Sequence, residues 1–274
     1  MHKNTIAFIG AGNMARSLIS GLINDGVPPQ LLWASDPDPD KRAALTADFG
    51  INTTDDNQQA VTAADTIVLA VKPQLLQSVT QTLAPALSDG STLVLSVAAG
   101  IRSDTLSNWL GSSTPIVRTM PNTPALIQSG ATALFATANV SSAQHNTAES
   151  IMRSAGLTVW LEDENQMDAV TALSGSGPAY FFLFMEAMEA AGKELGLPTD
   201  MARLLTLQTA LGAARMALES NEAPAQLRQR VTSPGGTTEQ ALQVMEQAGL
   251  RDTVHQALQA AAKRANELGK ELAG

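Results

Sequence analysis

The chain has 274 residues, no cysteine, and a formal net charge of -9 from 26 acidic against 17 basic side chains. The lack of cysteine excludes disulfides, thiolate nucleophiles, Cys-ligated zinc and iron–sulfur clusters. The acidic balance, with no basic cluster longer than a Lys-Arg pair, argues against nucleic acid or an anionic membrane as partner. A chain this long suits one large domain or two moderate ones. The apolar run behind Lys3 is too short for a secretory core or a membrane span, so a cytoplasmic chain without a targeting segment is expected. Of the three histidines, His2, His145 and His255, none has an acidic or nucleophilic companion at useful spacing, and all three read as surface residues.

The first element is the run Ile6 to Ile9, which passes directly into Gly10-Ala11-Gly12-Asn13-Met14-Ala15 and then into a helical pattern. Strand, tight turn and helix in this order form a dinucleotide-binding signature. Gly10 allows the turn, Gly12 lets a pyrophosphate approach the backbone, and Ala15 lets the helix pack on the strand. The helix start offers free N–H groups to phosphate. An ordinary glycine turn is the plainer alternative, and the β-rich residues before the motif and the face Met14, Leu18, Gly21, Leu22 after it argue against it.

A second strand, Leu31 to Ala34, ends in Ser35-Asp36-Pro37. In dinucleotide folds an acid here holds the ribose hydroxyls of NAD, whereas a hydroxyl near Lys or Arg favours NADP. Asp36 gives the first signal and Ser35 with Lys41 and Arg42 the second, while Asp36-Pro37-Asp38 also serves as a turn and N-cap for a helix over 41–49. A weak strand at 51–54 and a continuous apolar one at 66–71 follow, the latter stopping at Lys72-Pro73. A helix to about Leu87 leads to strands at 92–96, before Ala98-Ala99-Gly100, and at 115–118, before Met120-Pro121-Asn122-Thr123-Pro124. Strands at 131–136 and 158–161 bracket a polar helix over 141–155. The alternation predicts a parallel, doubly wound sheet with its ligand at the carboxyl ends of the strands.

From about Gln166 onward the pattern is helical. Tyr180 to Met185 is apolar on every side of its helix, and a helix apolar all round must be surrounded. A partner subunit supplying that cover, in an obligate oligomer with interlocking helices, is expected; a core helix of the monomer is the alternative. Pro198 and Pro224 punctuate the following helices, and a last amphipathic helix spans about Leu250 to Leu272.

Between helices ending near Val231 and Ala248 lies Thr232-Ser233-Pro234-Gly235-Gly236-Thr237-Thr238-Glu239-Gln240. Adjacent glycines and hydroxyls at a helix start form an anion site. Thr237-x-x-Gln240 also matches a capping box, and a carboxylate ligand capping the same helix end would satisfy both readings.

IGAGNMA, AVKPQ, SVAAG, VRTMPNTPA, DAVTALSGSGPAY and SPGGTTEQAL, in this order, resemble the pyrroline-5-carboxylate reductases across nearly the whole chain. SGSGPAY followed by SPGGTT is the specific part. The resemblance implies an α/β Rossmann-type domain over 1–164 and an all-α substrate-binding and dimerisation domain over 165–274. It implies reduction of 1-pyrroline-5-carboxylate to L-proline, with NADPH favoured and NADH open, in an obligate homodimer that assembles further, for example into a decamer. Carried over by position, cofactor contacts fall on Ile9, Gly10, Ala11, Gly12, Asn13 and Met14, on Ser35 and Asn57, and on Ala70, Val71, Lys72 and Pro73. Ala98 and Ala99 join them, and Met120, Pro121 and Asn122 line the nicotinamide region. Ser233, Gly236, Thr237 and Thr238 grip the substrate, Thr238 orienting its nitrogen as the catalytic group, while Glu164 and the segment around Ser176 close the pocket. No metal is implied. A β-hydroxyacid dehydrogenase or related imine reductase is the nearest competitor, but it needs a helix-borne lysine, and Lys193 is better read as the i,i+4 partner of Glu189. A dinucleotide sensor without turnover would keep GAGNMA and have no reason to keep SPGGTT.

Overall fold

In the computed structural model, which describes residues 4–273, the apolar runs pair into one sheet. The strands are β1 (Ile6–Ile9), β2 (Leu32–Ser35), β3 (Asn52–Thr54), β4 (Thr66–Leu69), β5 (Leu93–Ser96), β6 (Ile116–Met120), β7 (Gly130–Ala136) and β8 (Gly156–Trp160). They lie in the order β3-β2-β1-β4-β5-β6-β7-β8. His2 lies outside the described residues.

The expectation of a wholly parallel sheet needs correction at one pair. β7 runs antiparallel to β6, with Val117 opposite Ala136 and Met120 opposite Ala133. Only Pro121 to Ser129 joins the two strands, with a short turn of 3-10 helix, Thr123–Ile127, inside it. A parallel crossover needs a dozen residues or more, so the chain reverses here. The polar helix read over 141–155 then returns it, and β8 pairs with β7 in parallel.

Helices cover both faces: α1 (Asn13–Asn24), α2 (Pro39–Phe49), α3 (Asn57–Thr62), α4 (Pro73–Leu83), α5 (Ser103–Leu110) and α6 (Ser142–Arg153). Alternation along β1 sorts its side chains into two cores. Phe8 packs with Leu18, Leu22, Val68 and Leu134, while Ala7 and Ile9 pack with Ile67, Leu76, Leu83 and Ile116. Each such aliphatic or aromatic side chain taken fully from water contributes about 1.5–3 kcal/mol. Neither α3 nor α5 was expected, because both are short and rich in polar residues. β4 stops at Leu69, two residues before the expected end, where Lys72 becomes the N-cap of α4 and Pro73 its first residue.

After Glu164–Gln166, a turn of 3-10 helix, come α7 (Met167–Val170), a π-helical turn (Thr171–Gly175), α8 (Gly177–Glu194), α9 (Thr199–Glu219), α10 (Pro224–Arg230), α11 (Thr237–Gln247) and α12 (Leu250–Ala273). The chain forms two compact units: the residues up to Ser176 with those from Ala261, and Gly177–Ala260. The sequence boundary at 164/165 marks the end of the strand signal; compactness adds 165–176 and the end of α12 to the sheet unit.

In the helical unit α8 and α9 pack along one another. Phe181, Phe182 and Leu183 of α8 are 69%, 63% and 67% exposed, so α8 is not a core helix of this chain.

Candidate functional site

Every segment assigned to the cofactor by resemblance lies at the carboxyl end of a strand of the sheet unit. Ile9 closes β1, and the turn that follows depends on glycine. Gly10 has φ +102, and a Cβ there would lie 2.7 Å from the carbonyl oxygen of Ala70. The backbone therefore brings Gly10 and Ala70 together, with Ala70 N–H donating to the Ile9 carbonyl at 2.8 Å. Val71, Lys72 and Pro73 continue from there into α4. Gly12 is the N-cap of α1 and supplies no side-chain cap, and a Cβ on it would meet open space. The first-turn N–H groups of a helix have no partner within it. Asn13 and Met14 open that first turn, beside the space that the absent Cβ leaves clear. Those features fit a dinucleotide pyrophosphate.

At the end of β2 the two expected contacts meet, the Ser35 hydroxyl donating to Oδ1 of Asn57, the first residue of α3, at 2.5 Å. At Asp36 the expected turn and N-cap form, and the carboxylate makes one more contact. Its buried carboxylate accepts the N–H of Ala11 at 2.9 Å and that of Asp38 at 3.0 Å, and Lys41 Nζ stands 3.4 Å away. It ties the glycine loop to the second strand. The N-cap of α2 is Asp38, whose side chain accepts from Asp40 and Lys41 N–H. Burial raises the Asp36 pKa, but the Ala11 and Asp38 N–H groups and the Lys41 charge outweigh it and hold the carboxyl below its ordinary range.

Ala98 is buried beyond β5, its N–H donating to the Ser96 hydroxyl at 3.4 Å, and Ala99 beside it is exposed. Met120 ends β6, with Pro121 and Asn122 immediately after it. The Asn122 side chain is held at both ends, donating to the Ser174 carbonyl at 3.0 Å and accepting from Ala131 N–H at 2.9 Å.

Glu164 takes part in a buried network of its own unit. Its buried carboxylate pairs with buried Arg118 at 2.8 Å and accepts from Ser103 N–H at 2.8 Å and Ser103 Oγ at 2.7 Å. The network joins β6, the start of α5 and the turn after β8, and the sequence reading missed it. A charged arginine inside the buried strand Ile116–Met120 was the available signal, since a buried charge needs a partner. Ser176 ends the π-helical turn, its N–H donating to the Thr171 carbonyl at 2.8 Å.

The SPGGTT loop belongs to the helical unit. The capping box expected at Thr237 is absent, because Gly236 is the N-cap and offers no side chain. Glu239, in the first turn, instead accepts the N–H of Gly235 at 2.7 Å. Gly236 N–H donates to the Ser233 carbonyl at 3.0 Å, folding the loop into a tight turn. Thr237 and Thr238 thus stand at a helix start whose N–H groups no side chain caps, which is the chemistry of a carboxylate site. Lys193, by contrast, lies 3.6 Å from Glu189, as its spacing predicts. Among the described residues no cluster of acidic or histidine side chains is arranged to hold a metal, and no helix is long and apolar enough to cross a membrane.

Comparison with known proteins places this geometry in a family. Residues 164–268 match the model for pyrroline-5-carboxylate reductase dimerisation, and residues 5–100 that for NADP oxidoreductase, coenzyme F420-dependent. A pyrroline-5-carboxylate reductase of Pseudomonas aeruginosa is 54% identical over 99% of both chains. The structure of one from Coxiella burnetii is similar with a TM-score of 0.94 and 49% identity, over 97% of this chain and 99% of that one. A pyrroline carboxylate reductase of Plasmodium falciparum, solved with NADP bound, gives a TM-score of 0.87 at 32% identity over 98% and 99% of the two chains. With near-complete coverage on both sides, this chain belongs to the pyrroline-5-carboxylate reductase family.

Proposed function

We propose that the protein reduces 1-pyrroline-5-carboxylate to L-proline, the last step of proline biosynthesis, with NADPH as the preferred reductant. The observation that carries the reading is the helix start at Gly236, uncapped by any side chain and flanked by Ser233, Thr237 and Thr238. It suits a small carboxylate, in a chain whose other unit carries a dinucleotide loop. Residues 1–164 bind the cofactor in this reading, and 165–274 bind substrate and form the dimer.

A cyclic imine protonated at nitrogen is already electrophilic, so no strong general acid is required and orientation supplies most of the rate. When bound, a reduced nicotinamide supplies the hydride that converts the C=N bond to a C–N single bond, the nitrogen keeping its proton. The N–H groups after Gly236 and the Ser233 and Thr237 hydroxyls hold the carboxylate, and the Thr238 hydroxyl orients the ring nitrogen. In the sheet unit, Ile9 to Met14 hold the pyrophosphate, with Ala70 to Pro73 and Ala98 and Ala99 around it, and Met120 to Asn122 wall the nicotinamide end. Because Asp36 already serves Ala11 and Lys41, its charge is partly offset within the loop. Ser35 and Asn57 then face the adenosine ribose beside Lys41 and Arg42, an arrangement compatible with a 2′-phosphate.

The uncovered apolar side chains of α8 support an obligate homodimer, and a further assembly such as a decamer is the extended form of this reading. A chain without cysteine suits the cytoplasm.

Thr238→Ala is expected to lower kcat roughly 10- to 1,000-fold with the fold intact, as orientation and hydrogen-bond effects allow. Near-normal steady-state kinetics with 1-pyrroline-5-carboxylate would remove Thr238 from the mechanism. In the wild type, kcat/KM for NADPH should exceed that for NADH, and the reverse order would make Asp36 a ribose-selecting acid.

A further inference from the structure

Two motifs from distant parts of the chain meet inside the sheet unit. One is the end of β6, Met120-Pro121-Asn122. The other is the π-helical turn Thr171–Gly175, which precedes the Gly177-Pro178 start of α8. A π turn within a helical run is uncommon and often marks a functional position, and here a local anchor and a local use can both be named.

Pro178 leaves one carbonyl of this turn without its helical donor. In a regular helix the carbonyl of Ser174 would accept the N–H of the residue four places on, and proline has none. The orphaned carbonyl is instead taken by the Asn122 side chain at 3.0 Å. Asn122 is anchored at its other end by Ala131 N–H at 2.9 Å, so the loop after β6 is fastened to the turn.

The use lies one residue further along. A Cβ on Gly175 would sit 2.5 Å from the Cε of Met120, with Thr171 Cγ2 the next neighbour at 3.7 Å. Gly175 thus leaves the one space in which the end of the Met120 side chain rests. Its backbone is not in the left-handed region, so glycine is kept there for room and not for conformation.

We infer that Gly175 and Asn122 are positioning residues for Met120: the π turn, held by Asn122 on the carbonyl that Pro178 leaves free, seats the Met120 side chain and so sets the nicotinamide-side wall of the active site. The inference rests on the reading that Met120 lines the nicotinamide region. It assigns to the SGSGP motif a role in aligning hydride transfer, beyond forming a helix start.

The test is a double-variant cycle with NADPH and 1-pyrroline-5-carboxylate. Gly175→Ala should displace a flexible side-chain end and leave the fold, checked by circular dichroism, unchanged. It should lower kcat roughly 10- to 100-fold, the scale for a displacement of about 1 Å. The primary isotope effect with C4-deuterated cofactor should rise, as hydride transfer becomes limiting. In a Met120→Ala background the same change has nothing to displace and should cost no further activity. Asn122→Asp, which keeps the bond from Ala131 N–H but turns an oxygen toward the Ser174 carbonyl, should raise the isotope effect in the same way and serves if Gly175→Ala fails to fold.

Equal losses from Gly175→Ala in both backgrounds, no loss in either, or a wild-type isotope effect in Asn122→Asp would each overturn the inference while leaving Met120 at the nicotinamide. If Met120→Ala alone leaves kcat and KM unchanged, the wall reading itself fails and the inference falls with it.

Discussion

The sheet unit and the helical unit draw on similar proportions of apolar residues and bury them differently. In the first, Phe8, Leu18, Leu69 and Leu95 are wholly inaccessible, and Ser17 Oγ is the single buried side-chain polar atom without a partner among the described residues. In the second, α8 and α9 bury little beyond Gly177, Ala202 and Thr206, and α10 and α11 bury nothing. Phe181, Phe182, Leu204 and Leu211 are more than half exposed. The sheet unit carries its own core. The helical unit carries the side chains of a core without the layer that would close it, and its residues fall within the match to the family's dimerisation model. A substitution on α8 therefore tests association, and one in the sheet tests folding.

The largest effect is expected where that difference is sharpest. Phe182→Asp removes an exposed aromatic group that a dimer would cover and adds a charge that it would bury. In an isologous interface the change appears twice. At about 1.5–3 kcal/mol per aromatic side chain lost from burial, before any charge penalty, the dimer should weaken by more than about 100-fold. Sedimentation velocity at micromolar concentration should show a smaller species, and retention of the wild-type size would mean that α8 is covered by something other than a second copy.

Next in size is the buried pair of the sheet unit. Arg118→Met leaves the Glu164 carboxylate inside the protein with Ser103 and the part-exposed Arg102, 3.6 Å away, and without its buried cation. Breaking such a pair from one side costs about 3–5 kcal/mol. Exchanging both partners, in Arg118→Met with Glu164→Leu, should recover much of that loss, because the desolvation cost leaves with the charges. Chemical denaturation would measure both, and a single variant as stable as the wild type would show the pair to be dispensable.

The two units also differed in how much the sequence revealed. The central strands of the sheet were readable because they are short apolar runs ended by Gly, Pro or Asn, as burial on both faces requires, whereas β3, Asn52–Thr54, is polar and gave only a weak signal. What escaped was whatever depends on tertiary partners. The antiparallel turn into β7 follows from a connection too short to cross over. The Glu164 network joins residues that lie 46 and 61 positions apart in the chain, and no local pattern encodes such a pairing. Around the candidate site, the loops were legible as motifs, whereas the duties of single side chains were not. Asp36 also holds the Ala11 N–H, a contact that neither of its readings contained; Thr237 looked like a cap and is the first residue inside the helix. The exposure of α8 was the opposite case. A helix apolar all round announces that it must be covered, by its own core or by a partner, and the exposure of Phe181, Phe182 and Leu183 leaves the second.

The smallest expected effect returns the ion-pair comparison to the helical unit. Arg215 and Glu219 pair at 3.1 Å along α9, each side chain 68% exposed, so the geometry resembles the Arg118–Glu164 pair while the surroundings do not. Water already solvates both groups in the unpaired state, and holding two long side chains together offsets part of the attraction. Exposed pairs at this spacing contribute about 0.3–0.5 kcal/mol. Arg215→Met should therefore shift stability by no more than about 0.5 kcal/mol and, if α9 is free of the dimer at this point, leave the sedimentation coefficient unchanged. A loss several times larger, especially one that grows on dilution, would place Arg215 in the interface and extend the uncovered surface of α8 along α9.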